Sequence, residues 1–118
     1  MKKDFIASGE KCYPSISELS CINELKDVLK NEKKLGDIIE YSKIMSDKTR
    51  GSIIYLLYKK GSLCVCDLAN ILDMSSQAIS SQLIKLYDKG IIKRERKGLS
   101  VYYSLSNKTF VSFLHNIL

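Results

Sequence analysis

From Ser15 onward Ile16, Leu19, Ile22, Leu25, Val28 and Leu29 recur at steps of three and four residues, the spacing of one helix face. They predict a first helix over residues 16–31. Asn31-Glu32-Lys33-Lys34 is a polar break, after which Leu35, Ile38, Ile39, Ser42 and Met45 mark a second short helix. Ser46-Asp47 offers an N-cap for a third, in which Ile53, Ile54, Leu56, Leu57 and Tyr58 are apolar almost all round. That third helix is expected to be the central core element, stopping at Gly61 as a C′ residue with left-handed backbone. Ser62 is placed to cap the next helix, which carries Val65, Leu68, Ala69 and Leu72 on one side and ends near Asp73. Met74-Ser75-Ser76 is a tight connection to a further helix with Ile79, Leu83 and Leu86 on one stripe, followed by Gly90.

The period then changes. Ile91 to Arg96 and Ser100 to Leu105 are β-favouring runs joined by the basic, glycine-containing turn Lys97-Gly98-Leu99, which predicts a hairpin. Two short helices in tight succession followed by such a hairpin make a winged helix-turn-helix, the second helix being the reading helix. Phe110, Phe113, Leu114 and Ile117 close the chain as an amphipathic helix, read as apolar packing in a dimer interface with the first helix. The expected fold class is thus mainly α with a small β-hairpin: a winged helix-turn-helix, dimeric. Residues 1–15 lack sustained periodicity and hold the only proline, Pro14, so they are read as a flexible N-terminal arm, with residues 16–118 as the DNA-binding and dimerisation domain.

Composition narrows this. With 118 residues and 45% apolar content the chain can build one small core and not two. The longest apolar run, Ile53 to Tyr58, is far short of the roughly 20 residues that span a bilayer. Met1-Lys2-Lys3-Asp4 is followed by no apolar secretory region, so a cytoplasmic protein with reduced thiols and no membrane partner is expected. The net charge of +6 favours a polyanionic partner. Residues 75–104 hold Lys85, Lys89, Lys93, Arg94, Arg96 and Lys97 against Asp88 and Glu95, so a quarter of the chain carries most of the excess. No Gly-rich phosphate loop, paired-carboxylate site or histidine with a nucleophile is present, which argues against an enzyme.

The chemistry lies in four cysteines, Cys12, Cys21, Cys64 and Cys66. Residues i and i+2 of a regular helix point about 200° apart, so Cys64 and Cys66 can share one ion only if Cys64 sits in an irregular first turn. A helix N-terminus favours the thiolate form that binds soft ions. Two thiolates leave an ion under-coordinated, and Cys12, on the arm, is the natural third. Cys21, with Leu25 and Val28 at i+4 and i+7, fits a ligand or a small core residue equally well.

Leu63-Cys64-Val65-Cys66-Asp67-Leu68, Ser80-Ser81-Gln82-Leu83, Leu86-Tyr87-Asp88-Lys89-Gly90, the wing ending Tyr103-Ser104-Leu105 and the pair Cys12-Tyr13 carry a resemblance. From about Ile38 to Leu105 the chain resembles the ArsR/SmtB family of metal-sensing bacterial repressors, and within it most the cadmium/lead/zinc-responsive CadC type. The resemblance implies a homodimer that binds operator DNA without metal and releases it on binding Cd(II), Pb(II) or Zn(II). It also implies that Cys12 is donated across the dimer. The CadC type carries a second arm cysteine a few residues before the one matching Cys12; here that region offers Ser8, and Cys21 lies after Cys12 instead. Many family members bind zinc between their C-terminal helices through Asp and His, but Asn107 and Thr109 stand where the first pair would fall. That second site is expected to be absent, and His115 to be a surface residue.

For double-stranded DNA the reading helix is expected to enter the major groove by its N-terminal half, with Ser76, Gln77, Ser80 and Ser81 lying off the apolar stripe as contacts. The family often has His at the position of Gln82. Lys85, Arg94, Arg96 and Lys97 are expected to neutralise phosphates. Two alternatives use the same cysteines: an arsenite- or antimonite-responsive repressor, since three thiolates suffice for As(III), and a thiol redox switch.

Overall fold

The computed structural model describes residues 19–118. The arm over 1–15, Cys12 and the expected start of the first helix lie outside the described residues. The chain divides into two compact units, one ending at Asp37 and the other running Ile38–Leu118.

In the first unit, helix α1 spans Leu19–Asn31 and buries no residue. Its apolar stripe is real but uncovered: Leu19, Leu25, Val28 and Leu29 are each more than half exposed. The break to the next helix narrows to Glu32, whose Oε2 accepts from the Lys34 N–H at 3.0 Å and so satisfies one donor at the start of α2, Lys33–Met45.

In the second unit the carboxyl half of α2 packs through Tyr41 and Ile44, whereas Ile38 and Ile39 stay about half exposed. The sequence pattern marked the other face. Both faces carry apolar residues, and local periodicity cannot choose between them. Helix α3, Lys48–Lys60, begins at Asp47, whose Oδ2 accepts from the Arg50 N–H at 2.9 Å. The Arg50 guanidinium turns back to donate through Nε to the Ile44 carbonyl at 3.2 Å, satisfying an orphan acceptor at the end of α2. Ile53, Ile54 and Leu57 are buried, which makes α3 the centre of the core as its all-round apolar character predicts. Gly61 ends it at φ +96°, donating to the Leu57 carbonyl at 2.8 Å.

Leu63–Cys64 forms a short strand, β1, and Cys64 itself is the N-cap of α4, Val65–Leu72. Ser62 therefore does not cap that helix. Two residues are too few for a strand to show in a periodicity, and β1 exists because β3 pairs with it. After α4, Asp73 adopts left-handed backbone and Met74 donates to the Ala69 carbonyl at 3.0 Å, a Schellman-type stop. Ser75 then caps α5, Ser76–Asp88, by accepting from the Ala78 N–H at 3.1 Å. Ile79, Leu83 and Leu86 are fully buried, as their spacing requires.

Strand β2, Ile92–Lys97, and strand β3, Ser100–Leu105, pair antiparallel from Ile92↔Leu105 to Lys97↔Ser100. This leaves Gly98 and Leu99 as a two-residue turn, with Gly98 at φ +65° as the first central position of a II′-type hairpin demands. The sheet order is β1-β3-β2, with Leu63↔Tyr103 and Cys64↔Tyr102. Helix α6, Lys108–Ile117, starts at Asn107, whose Oδ1 accepts from the Phe110 N–H at 3.0 Å. Phe110 and Leu114 are fully buried, and the Phe110 ring meets Tyr41 edge-on at 5.0 Å. These two residues, expected at a dimer interface, thus serve the core of their own unit; Ile117 remains exposed.

Candidate thiolate site and nucleic-acid interface

Cys64 stands where two structures meet. Its backbone is extended, φ −97° and ψ 170°, so it belongs to the sheet, while its carbonyl side opens α4. Its N–H donates to Asp67 Oδ2 at 3.4 Å, and the Cys64 sulfur faces the Asp67 N–H in return, a capping box whose sulfur arm is too weak an acceptor for a full capping hydrogen bond. Because Cys64 lies outside the helix, the opposed orientation of i and i+2 in a regular helix does not apply to the Cys64/Cys66 pair. Cys66, second residue of α4, is exposed; Cys64 is half-buried; both are free thiols. Cys21 is a half-buried free thiol on α1 in the other unit. Among the described residues no three His, Cys, Asp or Glu side chains converge on a common point fit for a metal ion. His115 is exposed, with Nδ1 3.3 Å from the Tyr58 hydroxyl, and Asn107 is occupied as the cap of α6.

Ser76, Gln77 and Ser81 are exposed at the N-terminal half of α5 and Ser80 is half-buried. Ser75, not Ser76, spends its hydroxyl on the helix cap, which leaves Ser76 Oγ out of the capping interaction. At 100° per residue Gln77 and Ser81 share the outermost face with Ile84, whereas Ser80 lines up with Ile84 and Tyr87 at i+4 and i+7. Gln82 is half-buried, and its Oε1 is shielded from solvent with no hydrogen-bond partner among the described residues.

In the wing, residues directly opposite one another share a face of the sheet. Arg94 lies opposite Tyr103 and Arg96 opposite Val101, on the face that also carries Ile92 and Leu63; Lys97, Tyr102 and Cys64 belong to the other face. The register thus separates the four expected phosphate-neutralising side chains: Arg94 and Arg96 on one face, Lys97 on the other, with Lys85 exposed on α5. Two of the cations rest on aromatic rings. The Arg94 guanidinium lies 4.3 Å from the centre of the Tyr87 ring, and Lys97 Nζ lies 5.7 Å from that of Tyr102. Sequence reasoning missed both tyrosines. The available signal was the position of Tyr87 off the Ile79/Leu83/Leu86 stripe and in line with Ser80, and the alternation along β3. Lys89 pairs with Glu40 at 3.6 Å, both side chains about half exposed. Leu99, at the wing tip, is 97% exposed.

Residues 47–94, from the cap of α3 into the wing, match the family model described as bacterial regulatory protein, arsR family. A cadmium resistance transcriptional regulatory protein CadC homolog of Staphylococcus aureus is 39% identical over 87 residues, covering 74% of this chain and 71% of that protein. The arsenical resistance operon repressor of Escherichia coli K12 is 43% identical over 68 residues, 58% of each chain. Among solved structures, the AntR antimony-specific transcriptional repressor superposes with a TM-score of 0.62 at 29% identity, covering 72% of this chain and 77% of that one. Its winged helix-turn-helix and these relatives are those of DNA-binding regulators, not enzymes, and the chain belongs to the arsR family of bacterial regulatory proteins.

Proposed function

We propose that the protein is a homodimeric repressor that binds operator DNA when its thiols are free and releases it when a thiophilic ion, Cd(II), Pb(II) or Zn(II), is held by Cys64 and Cys66 together with Cys12. The observation that carries this reading is the place of Cys64, at once a residue of the sheet that bears the wing and the cap of the helix that supports α5. Soft thiolates suit these ions, and Cys64, lying outside the helix, is free of the constraint that would separate it from Cys66. Two described thiols need further donors; Cys12 on the 1–15 arm is assigned as the third ligand, and Cys21 is either a further ligand or a small packing residue. The relatives named for cadmium resistance support the ion class.

The ion supplies bonds that fix the spacing of the thiolates; the chain supplies the coupling. Any shift of the Cys64 backbone is felt by β3 through the Cys64↔Tyr102 pairing and by α4 through the bond to Asp67. Both parts of the reading head therefore answer to one residue. Coupling of this kind is typically about 1–3 kcal/mol, and DNA must weaken ion binding by the same factor. Ser76, Gln77, Ser80 and Ser81 are assigned to the major groove, and Lys85, Arg94, Arg96 and Lys97 to phosphates. The dimer is supported by the apolar stripe of α1, uncovered at Leu25, Val28 and Leu29. A regulator of this kind works in the cytoplasm; among the described residues no helix is long and apolar enough to cross a membrane.

The arsenical relative and the antimony-specific neighbour favour a second reading, release by As(III) or Sb(III) through three thiolates. One experiment separates the readings: fluorescence anisotropy of a labelled duplex from upstream of the gene, titrated with reduced protein and then with Cd(II), Pb(II), Zn(II) and arsenite in turn. Release by one divalent ion supports the first reading and release by arsenite the second. Binding that none of these ions disturbs, but peroxide does, would sink both and assign the cysteines to redox sensing.

A further inference from the structure

We infer that Tyr87 is a positioning residue for DNA binding, holding the wing's Arg94 in the orientation in which it meets a phosphate. The inference rests on the DNA-binding part of the reading above and not on the ion. Tyr87 sits in the last turn of α5, on the line through Ser80 and Ile84. From there the chain reverses at once: Gly90 donates to the Tyr87 carbonyl and Ile91 to that of Leu86, each at 3.0 Å, and β2 begins at Ile92. This short path brings Arg94 back over the Tyr87 ring at 4.3 Å. Among the described residues Arg94 has no carboxylate partner, although Glu95 is its neighbour in sequence.

A guanidinium held over a ring at this distance is bound through its charge by the ring quadrupole, without a conventional hydrogen-bond acceptor. Its five N–H donors lie in the guanidinium plane, and the ring contact commits none of them to an oxygen acceptor, so they stay available to a phosphate. Tyr87 therefore removes rotamer freedom from Arg94 without consuming a hydrogen bond. It also ties the wing to the reading helix, so that a phosphate contact from the hairpin is made in register with the contacts of Ser80. Tyr87 is 40% exposed and is not part of the buried core cluster.

The test is a double-mutant cycle read by anisotropy on the labelled upstream duplex, with reduced, chelator-treated full-length protein at several salt concentrations. Tyr87→Ala is expected to weaken binding about two- to five-fold, the size of an exposed cation–π contact, and to leave the salt slope unchanged. Arg94→Ala is expected to lower that slope by about 0.9, one phosphate contact. Adding Tyr87→Ala to Arg94→Ala should cost nothing further, and Tyr87→Phe, which keeps the ring face, should bind as the unaltered chain does. Additive losses in the double variant would overturn the inference, as would tighter binding by Tyr87→Ala, which would mean that the ring holds Arg94 away from DNA. Tyr87→Phe behaving like Tyr87→Ala would overturn it too, by assigning the effect to the hydroxyl. Failure of the unaltered chain to bind any upstream duplex would overturn operator recognition along with it, an outcome distinct from binding with additive losses.

Discussion

Cys64→Ser separates the structural role of this residue from the role assigned to it in sensing. Cys64 is the N-cap of α4 with extended backbone; Asp67 Oδ2 accepts from its N–H at 3.4 Å, and its sulfur faces the Asp67 N–H as a weaker acceptor than a hydroxyl oxygen would be. Serine is among the best N-cap residues, its oxygen accepting from the N2 or N3 amide, and removing such a cap costs about 1 kcal/mol. Against this gain stands the partial burial of the sulfur, a few tenths of a kcal/mol for a half-buried thiol exchanged for a hydroxyl. The net expectation is a metal-free protein more stable by about 0.5–1 kcal/mol. For a unit of this size that raises the unfolding midpoint by roughly 2–8 °C. The same variant should bind the upstream duplex normally and fail to release it with Cd(II) or Pb(II). The assay is thermal unfolding by circular dichroism of reduced, chelator-treated protein, followed by anisotropy with the ions. A midpoint lowered by several degrees would refute the capping argument; full ion-induced release would refute the assignment of Cys64 as a ligand.

Other substitutions test other links. Leu68→Ala removes a side chain with no exposed surface beneath α4 and should cost about 2–5 kcal/mol, measured by urea unfolding; a loss below 1 kcal/mol would mean that the core there can collapse. Asp47→Ala deletes the 2.9 Å bond to the Arg50 amide and should cost about 1 kcal/mol in the same assay. Gly98→Val forces a β-branched residue to φ +65°, which should distort the wing turn and weaken operator binding, with little change in the far-ultraviolet helix signal. Arg96→Ala should reduce the salt slope of operator binding by about 0.9, and an unchanged slope would remove it from the interface.

The elements that could be read locally were those whose own composition over-determines them. Ile53, Ile54 and Leu57 make α3 a core helix whatever surrounds it, and Ile79, Leu83 and Leu86 orient α5. Asp47, Gly61, Gly90 and Gly98 stand where a cap or a positive φ is required, and the change of period after Gly90 marks the wing. The cysteine spacing and the basic wing were visible in the same way, because residue identity and order are what the sequence records. Where Cys64 and Cys66 point was not.

That depended on pairings between distant segments. β1 forms only because Tyr102 and Tyr103 of β3 lie alongside it, and this pairing makes Cys64 a strand residue and a cap instead of a helix residue. The packed face of α2, Tyr41 and Ile44 in place of Ile38 and Ile39, was decided by where Phe110 lies, and Phe110 was itself drawn from an expected interface into the core. The contact of Arg94 with Tyr87 follows from the tight reversal after α5, which no periodicity encodes. Local propensity and pattern determine which segments become helix or hairpin; which of two apolar faces is buried, and which side chains meet, is settled by the energy of packing the segments together.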